Sequence, residues 1–266
     1  MAAAVTGGAM RDPGDQFMAF RLIAAGLLFL LLIWTLLSPP ARGNPIPAAE
    51  LMLRADTPAL RFRWSLPPEA TLDPRLFRAL RADAEAELQA ARAEAEALAR
   101  AAARDGLPFR GNEWVQRWKL EAEAPAFLAL SATTYQFTGG AHGLLSYAGA
   151  LFDRTLGERI GFADLFRDSP SHRSALEALT PGWCATLDAE RARRRGGERN
   201  AAFSDCPKLG EQLILPLGDA PIRAFRVFAA PYTAGPWSEG SYEIVIDAAP
   251  AVPHLAPRFA PAFARP

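Results

Sequence analysis

The run Leu22–Leu37, LIAAGLLFLLLIWTLL, carries no charge and no proline, and it limits what the rest of the chain can be. With Phe17–Phe20 ahead of it, interrupted by Arg21, it approaches the ~20 apolar residues that a membrane-spanning helix needs. A helix buried in a soluble core would keep one polar face, and this run has none. Two readings stay open, an uncleaved anchor and a cleavable signal peptide. A signal peptide usually has an apolar region of roughly 7–15 residues ending in a small-x-small site. Here the run is slightly long and Ser38-Pro39-Pro40-Ala41 offers no good cleavage site, so an anchor is expected. Arg11 and Arg21 before the run and Arg42 and Arg54 after it leave the positive-inside count nearly balanced. The short leading tail, Met1–Arg21, followed by a large domain favours export of that domain.

The segment 38–58 reads as a linker, most clearly the proline-rich stretch Ser38–Pro47. Beyond it, the chain has the material for one sizeable core, since half of its 266 residues are apolar. Its formal net charge of zero argues against a general nucleic-acid binder, which shows a basic excess.

Hydrophobic periodicity then gives an order of elements. Leu60–Leu66 (LRFRWSL) alternates apolar and basic residues, as a strand with one buried face does. Asp73-Pro74 opens a long helix, with Asp73 as its cap and proline at the first helical position. Its stripe is Leu76, Leu80, Ala84, Leu88, Ala91, Ala95 and Leu98, and Asp105-Gly106 ends it. From Glu113 to Phe162 the pattern becomes that of an antiparallel meander: a strand around Trp114, Trp118 and Leu120, a second over Phe127–Phe137, a third after Gly139-Gly140 that ends at Leu151-Phe152, then a turn over Asp153–Gly157 and a short return. A second helix is expected from Ser171 to about Arg194. Short strands follow at Gln212–Leu217, Ile222–Phe228 and Tyr242–Ile246. This arrangement predicts an α+β fold, an antiparallel sheet with two main helices, because no regular strand–helix alternation runs through it. The Pro/Ala-rich tail, residues 248–266, is expected to be disordered.

Cys184 and Cys206 lie too far apart for a CxxC redox or zinc pattern. In an oxidising compartment they would form one disulfide; two buried thiols are the alternative. His142, His172 and His254 show no metal-ligand spacing, so neither a metal nor another cofactor is expected. His142 sits in Thr138-Gly139-Gly140-Ala141-His142-Gly143, where the glycines permit a tight turn. It reads as a hydrogen-bonded turn histidine, as a ligand contact, or as a catalytic base. The passage Tyr232–Gly240 puts Tyr232, Trp237 and Glu239 on a loop, where aromatic rings either stack on a ligand or pack beneath the loop. Arg191, Arg193, Arg194 and Arg195 end the second helix and read as a solvated, dipole-compatible terminus. An anionic partner is the other reading of that cluster.

Three passages together carry a resemblance: Tyr135–Gly143 (YQFTGGAHG), Gly161–Phe166 (GFADLF) and Pro231–Gly240 (PYTAGPWSEG). In this order they resemble the extracytoplasmic domain shared by the RsiV-type anti-sigma factors and the PdaC-type peptidoglycan deacetylases, over about residues 59–247. The resemblance implies an α+β domain outside the membrane, acting in RsiV-like proteins as a receptor for lysozyme and in PdaC-like proteins standing before a separate catalytic domain. The short Met1–Arg21 stretch and the short tail after Asp247 lead us to expect only the ligand-facing domain here. The expected protein is therefore a bacterial envelope binding module without catalytic residues, held in the inner membrane by Leu22–Leu37 with its domain in the periplasm, or released there or secreted after cleavage. A lysozyme-like protein or a peptidoglycan fragment is the expected partner. Its candidate ligand residues are Gly139, Gly140, His142, Tyr232, Trp237 and Glu239. The competing expectation is an envelope hydrolase working through His142 and Glu239.

Overall fold

The structure is a computed structural model and describes residues 46–198 and 200–265. The expected membrane segment Leu22–Leu37 lies outside the described residues. Among the described residues no helix is long and apolar enough to cross a membrane.

Among the described residues the strands are β1 (Met52–Asp56), β2 (Leu60–Ser65), β3 (Asn112–Glu123), β4 (Phe127–Phe137), β5 (Leu144–Asp153), β6 (Glu158–Ile160), β7 (Leu213–Asp219), β8 (Ala224–Ala229) and β9 (Tyr242–Asp247). Two long helices accompany them, α1 (Pro74–Arg104) and α2 (Ser169–Arg195). The fold is α+β, as the periodicity predicts. The sheet runs in the order β6-β5-β4-β3-β7-β8-β9, with β2 also on β3 and β1 beyond it. Strands β3 to β6 form the expected antiparallel meander.

Two pairings are parallel and were not legible in the sequence. Strand β2 runs parallel to β3, Leu60 beside Asn112 through Ser65 beside Arg117, so α1 is a crossover between them. The end of β3 then pairs in parallel with the end of β7, Ala122 beside Gly218 and Glu123 beside Asp219. A register shift between Leu120 and Ala122 lies where β3 passes from one parallel neighbour to the other. Two hydrophobic cores result.

The first core lies under α1. Asp73 caps that helix by accepting from Arg75 N at 2.8 Å. The buried stripe Leu76, Leu80, Ala84, Leu88, Ala91 and Ala95 belongs to one cluster with Phe62, Trp64, Trp114, Leu130 and Phe152. Phe62 and Trp114, neighbours across the parallel pair, stack at 4.3 Å with planes 1° apart. The second core lies under α2, whose Ala175, Leu179, Trp183 and Leu187 pack with Phe225, Val227, Ile244 and Ile246 of β8 and β9. Asp168 caps α2 through Ser171 N at 2.7 Å. Cys184 of α2 is bonded to Cys206, with the Cα atoms 5.5 Å apart.

Two expected boundaries move. The linker expected over 38–58 is ordered in its second half, where Ala48–Leu51 makes a 3-10 turn and β1 pairs antiparallel with β2. The tail expected to be disordered from 248 onward is packed through residue 265. Its apolar side chains Ala251, Leu255, Phe259 and Phe263 are buried in the second core. Its backbone is bonded too, with Ala256 N donating to Leu165 O at 2.8 Å and Ala264 N to Ile222 O at 2.8 Å. Proline there sets short 3-10 turns instead of disorder, because a large apolar residue recurs every four positions and has a core to enter.

Candidate functional site

The hairpin between β4 and β5 and the loop 231–240 between β8 and β9 come together. The contact is made by rings. His142 stacks on Trp237 at 4.3 Å with 26° between planes. The Tyr232 hydroxyl lies 3.5 Å from His142 Nε2. His142 Nδ1 lies 3.0 Å from Gly143 O, and Trp237 Nε1–H donates to the same carbonyl at 3.3 Å. With Nδ1 carrying the proton toward Gly143 O, Nε2 is left as an acceptor for Tyr232. The assembly faces solvent, with Tyr232 54% and Trp237 41% exposed. Tyr232 also has φ +71°, a left-handed conformation that is costly for a bulky residue and collects at functional sites.

The hairpin loop is shaped by two glycines with different tasks. Gly139 sits at φ +98°, which a side chain disfavours whatever the space around it. Gly143 is buried against the Tyr135 ring, where an added Cβ would come within 2.2 Å of Tyr135 Cε2. Gly140, a sequence candidate beside Gly139, has neither constraint: an added Cβ there finds nothing nearer than His142 O at 3.9 Å. Tyr135 is a contributor that sequence reasoning missed. It stands in the same family-like string, and only the fold shows that its ring supports the turn.

Glu239, the sixth candidate, faces elsewhere. Its carboxylate takes two hydrogen bonds from Arg195 at 2.8 and 2.9 Å and a third from the Tyr242 hydroxyl. The Arg195 hydrogen bonds hold its carboxyl below the ordinary value of 4.5, with Tyr242 adding to that and burial opposing it. A carboxyl so held stays ionised and occupied, which suits a structural anchor and not a general acid. The geometry thus brings Gly139, Gly140, His142, Tyr232 and Trp237 to one surface and ties Glu239 into the support beneath it.

The arginine cluster supplies that support. The expectation of a solvated helix end holds for Arg193, which is 71% exposed, and fails for Arg191 and Arg195 at 4% and 10%. Arg191 Nε donates to Ala234 O at 2.8 Å, and its Nη2 donates to Asp205 O at 3.1 Å, next to Cys206. Arg194 donates to Glu239 O and Ser241 O, each at 2.8 Å, and lies over the Tyr242 ring at 3.9 Å. Arg193 and Arg194 together hold the Glu190 carboxyl down to about 2. The last turn of α2 therefore holds the loop that presents Tyr232 and Trp237 at its middle, through Ala234, and at its C-terminal end, through Glu239 and Ser241. Sequence gave a partial signal for this, since four arginines in five positions exceed what a helix dipole needs.

Comparisons with known proteins bear on the fold that carries these loops. Residues 54–145, from β1 through the TGGAHG hairpin, match a family model described as "Deacetylase PdaC". No curated protein matches the chain significantly. Among solved structures, the fold is similar to a DUF3298 family protein from Pseudomonas aeruginosa PAO1, with TM-score 0.51 and 16% identity, covering 79% of this chain and 95% of that one. It is also similar to a DUF3298 family member from Bacteroides fragilis, with TM-score 0.50 and 13% identity, covering 78% and 93%. These likenesses establish the fold.

Proposed function

We propose, for a chain whose residues 54–145 match the PdaC family model and whose fold is similar to that of DUF3298 proteins, that it is a binding module for cell-wall glycan outside the cytoplasm. The observation that carries this reading is the exposed stack of His142 on Trp237 with Tyr232 beside it. An apolar ring face held open to solvent is the surface on which a sugar ring settles, and a loop held by arginines at its middle and C-terminal end keeps it preformed at little entropic cost. The Cys184–Cys206 disulfide supports residence in an oxidising compartment. Anchoring by Leu22–Leu37 is part of the same proposal. A hydrolase acting through His142 and Glu239 is disfavoured, because Glu239 is engaged by Arg195 and Tyr242.

The test is retention of the purified chain on peptidoglycan sacculi and on immobilised lysozyme, for wild type, Trp237→Ala and His142→Ala. Sacculus binding that weakens roughly tenfold or more in Trp237→Ala, the effect of losing an aromatic anchor, supports the reading. Binding to lysozyme alone moves the partner to a protein. Turnover of sacculi that vanishes in a folded His142→Ala variant replaces the module with an enzyme.

A further inference from the structure

A concavity opens at the end of the sheet that carries the TGGAHG hairpin. It has a volume of about 370 Å³ and is lined by Asp56, Arg61, Arg110, Asn112, Glu113 and Phe137, among others. That size lies within the roughly 300–1,000 Å³ typical of small-molecule sites. The sheet register explains the grouping. Arg61 of β2, Glu113 of β3 and Phe137 of β4 are direct cross-strand neighbours, so their side chains stand in one row on one face. Phe137 is the last residue of β4, and Thr138–Gly143 follows it directly.

We infer that this cleft is a saccharide subsite that takes a neutral, hydroxyl-rich sugar unit. Its charges are mixed. Arg61 and Glu113 form a loose pair at 3.5 Å, and Asp56 is already taken by Arg63 through two bonds of 2.8 Å. Each lining carboxylate is paired with a guanidinium, so the lining offers a cationic ligand no free negative charge. Sugar hydroxyls, each both donor and acceptor, match a lining that holds guanidinium and carboxylate groups together.

Two groups in the lining lack partners among the described residues. The exposed Arg110 has no ion pair there. Asn112 is 6% exposed, and its Oδ1 has no hydrogen-bond donor. An orphaned buried amide oxygen is unfavourable, and it marks the inner edge of the cleft as incompletely satisfied. The half-buried Phe137 ring adds an apolar face for one side of a pyranose. The inference extends the reading of this domain as a glycan binder, and it stands on residues that reading does not use.

The experiment is a calorimetric and saturation-transfer NMR titration of the full chain with the N-acetylglucosamine tetramer and with cellotetraose. Variants are Arg110→Ala, at an exposed position, and Phe137→Ala, with Trp237→Ala in parallel and folding checked by melting temperature. The expected result is saturable binding of at least one probe, weakened roughly two- to tenfold in folded Arg110→Ala and Phe137→Ala, the worth of one hydrogen bond or one ring contact. Binding untouched in both variants overturns the subsite, whatever Trp237→Ala does. Loss in Trp237→Ala alone leaves the aromatic surface as the site and removes the cleft. Absence of binding to either probe, or binding that collapses as salt rises, overturns the neutral-sugar assignment.

Discussion

Arg195 grips Glu239 at two points, Nε to Oε1 at 2.8 Å and Nη2 to Oε2 at 2.9 Å, with the two side chains only 10% and 15% exposed. The pair fixes the C-terminal part of the aromatic loop to the end of α2. It also leaves the carboxylate of that loop engaged by an arginine and a tyrosine.

The first prediction follows from this pair. The Arg195 hydrogen bonds hold Glu239 below its ordinary value of 4.5, so the folded state keeps the proton off longer than the unfolded chain does. Its contribution to stability is complete above pH 4.5 and is lost as pH falls through the lowered folded value. Melting temperature should therefore drop as the solution is acidified below pH 4.5, and Glu239→Gln should flatten part of that slope. Arg195→Ala should destabilise at neutral pH by about 2 kcal/mol, less than the roughly 3–5 expected for a fully buried pair. An unchanged acid slope in Glu239→Gln would show that the pair carries no linkage.

A second prediction concerns the disulfide. It closes a loop of 22 residues' separation from Cys184 to Cys206. By loop-closure entropy this stabilises the fold by roughly 3 kcal/mol, or roughly 6–12 °C in melting temperature for a domain of this size. Asp205, which precedes Cys206, accepts from Arg191, and Arg191 donates in turn to Ala234 in the aromatic loop. Cys184→Ser/Cys206→Ser should lower the melting temperature by that amount and speed amide exchange around Ala234. Protein from the native compartment that shows two reactive thiols when denatured without reductant would contradict the bond.

Much of the fold was legible because local chemistry decides it. Asp73-Pro74 can only start a helix well, and the apolar spacing from Leu76 to Ala95 can only face one core. The parity of Trp114, and the glycine pair between β4 and β5, place the hairpin. What was not legible depends on partners distant in sequence. Nothing in Leu60–Ser65 announces that its neighbour across the sheet lies beyond a 31-residue helix. The arginines of α2 look alike in sequence, yet Arg193 meets water while Arg191 meets Ala234 and Asp205. The five candidates Gly139, Gly140, His142, Tyr232 and Trp237 lie on two loops whose composition drew attention to them, and the fold brings those loops together. The inward turn of Glu239 was not legible, since its reason is Arg195, 44 positions away.

The two adjacent glycines of the hairpin should respond differently, which is a third prediction. Gly139 lies at φ +98° in open space, so Gly139→Ala meets no atom and still pays backbone strain of about 1 kcal/mol or more. Gly140 has no such φ and no neighbour within 3.9 Å, so Gly140→Ala should be near neutral. Chemical denaturation of both variants measures the difference, and equal losses would mean that the turn is not as described.

The last prediction tests the C-terminal segment as part of the fold. Phe259 is fully buried and meets Phe127 edge-on at 6.0 Å, while Phe263 lies 6.1 Å from the same ring. Beside them Arg258 reaches the buried Asp153 at 3.2 Å, whose other oxygen accepts from Thr155 N and Leu156 N in the turn after β5. The segment thus closes the second core and braces the β5–β6 turn at once. Phe259→Ala should cost about 3–5 kcal/mol, the usual loss for emptying a buried aromatic site. Arg258→Ala should cost less than that, because the guanidinium is 47% exposed and the other oxygen of the buried Asp153 keeps its two backbone donors. Removing residues 249–265 should expose Leu255's and Phe259's binding positions in the core and produce binding of a hydrophobic dye. Urea melts of the three variants in parallel give the ranking. A Phe259→Ala protein as stable as wild type would mean that the tail is a passenger, and the boundary of the domain would return to Asp247.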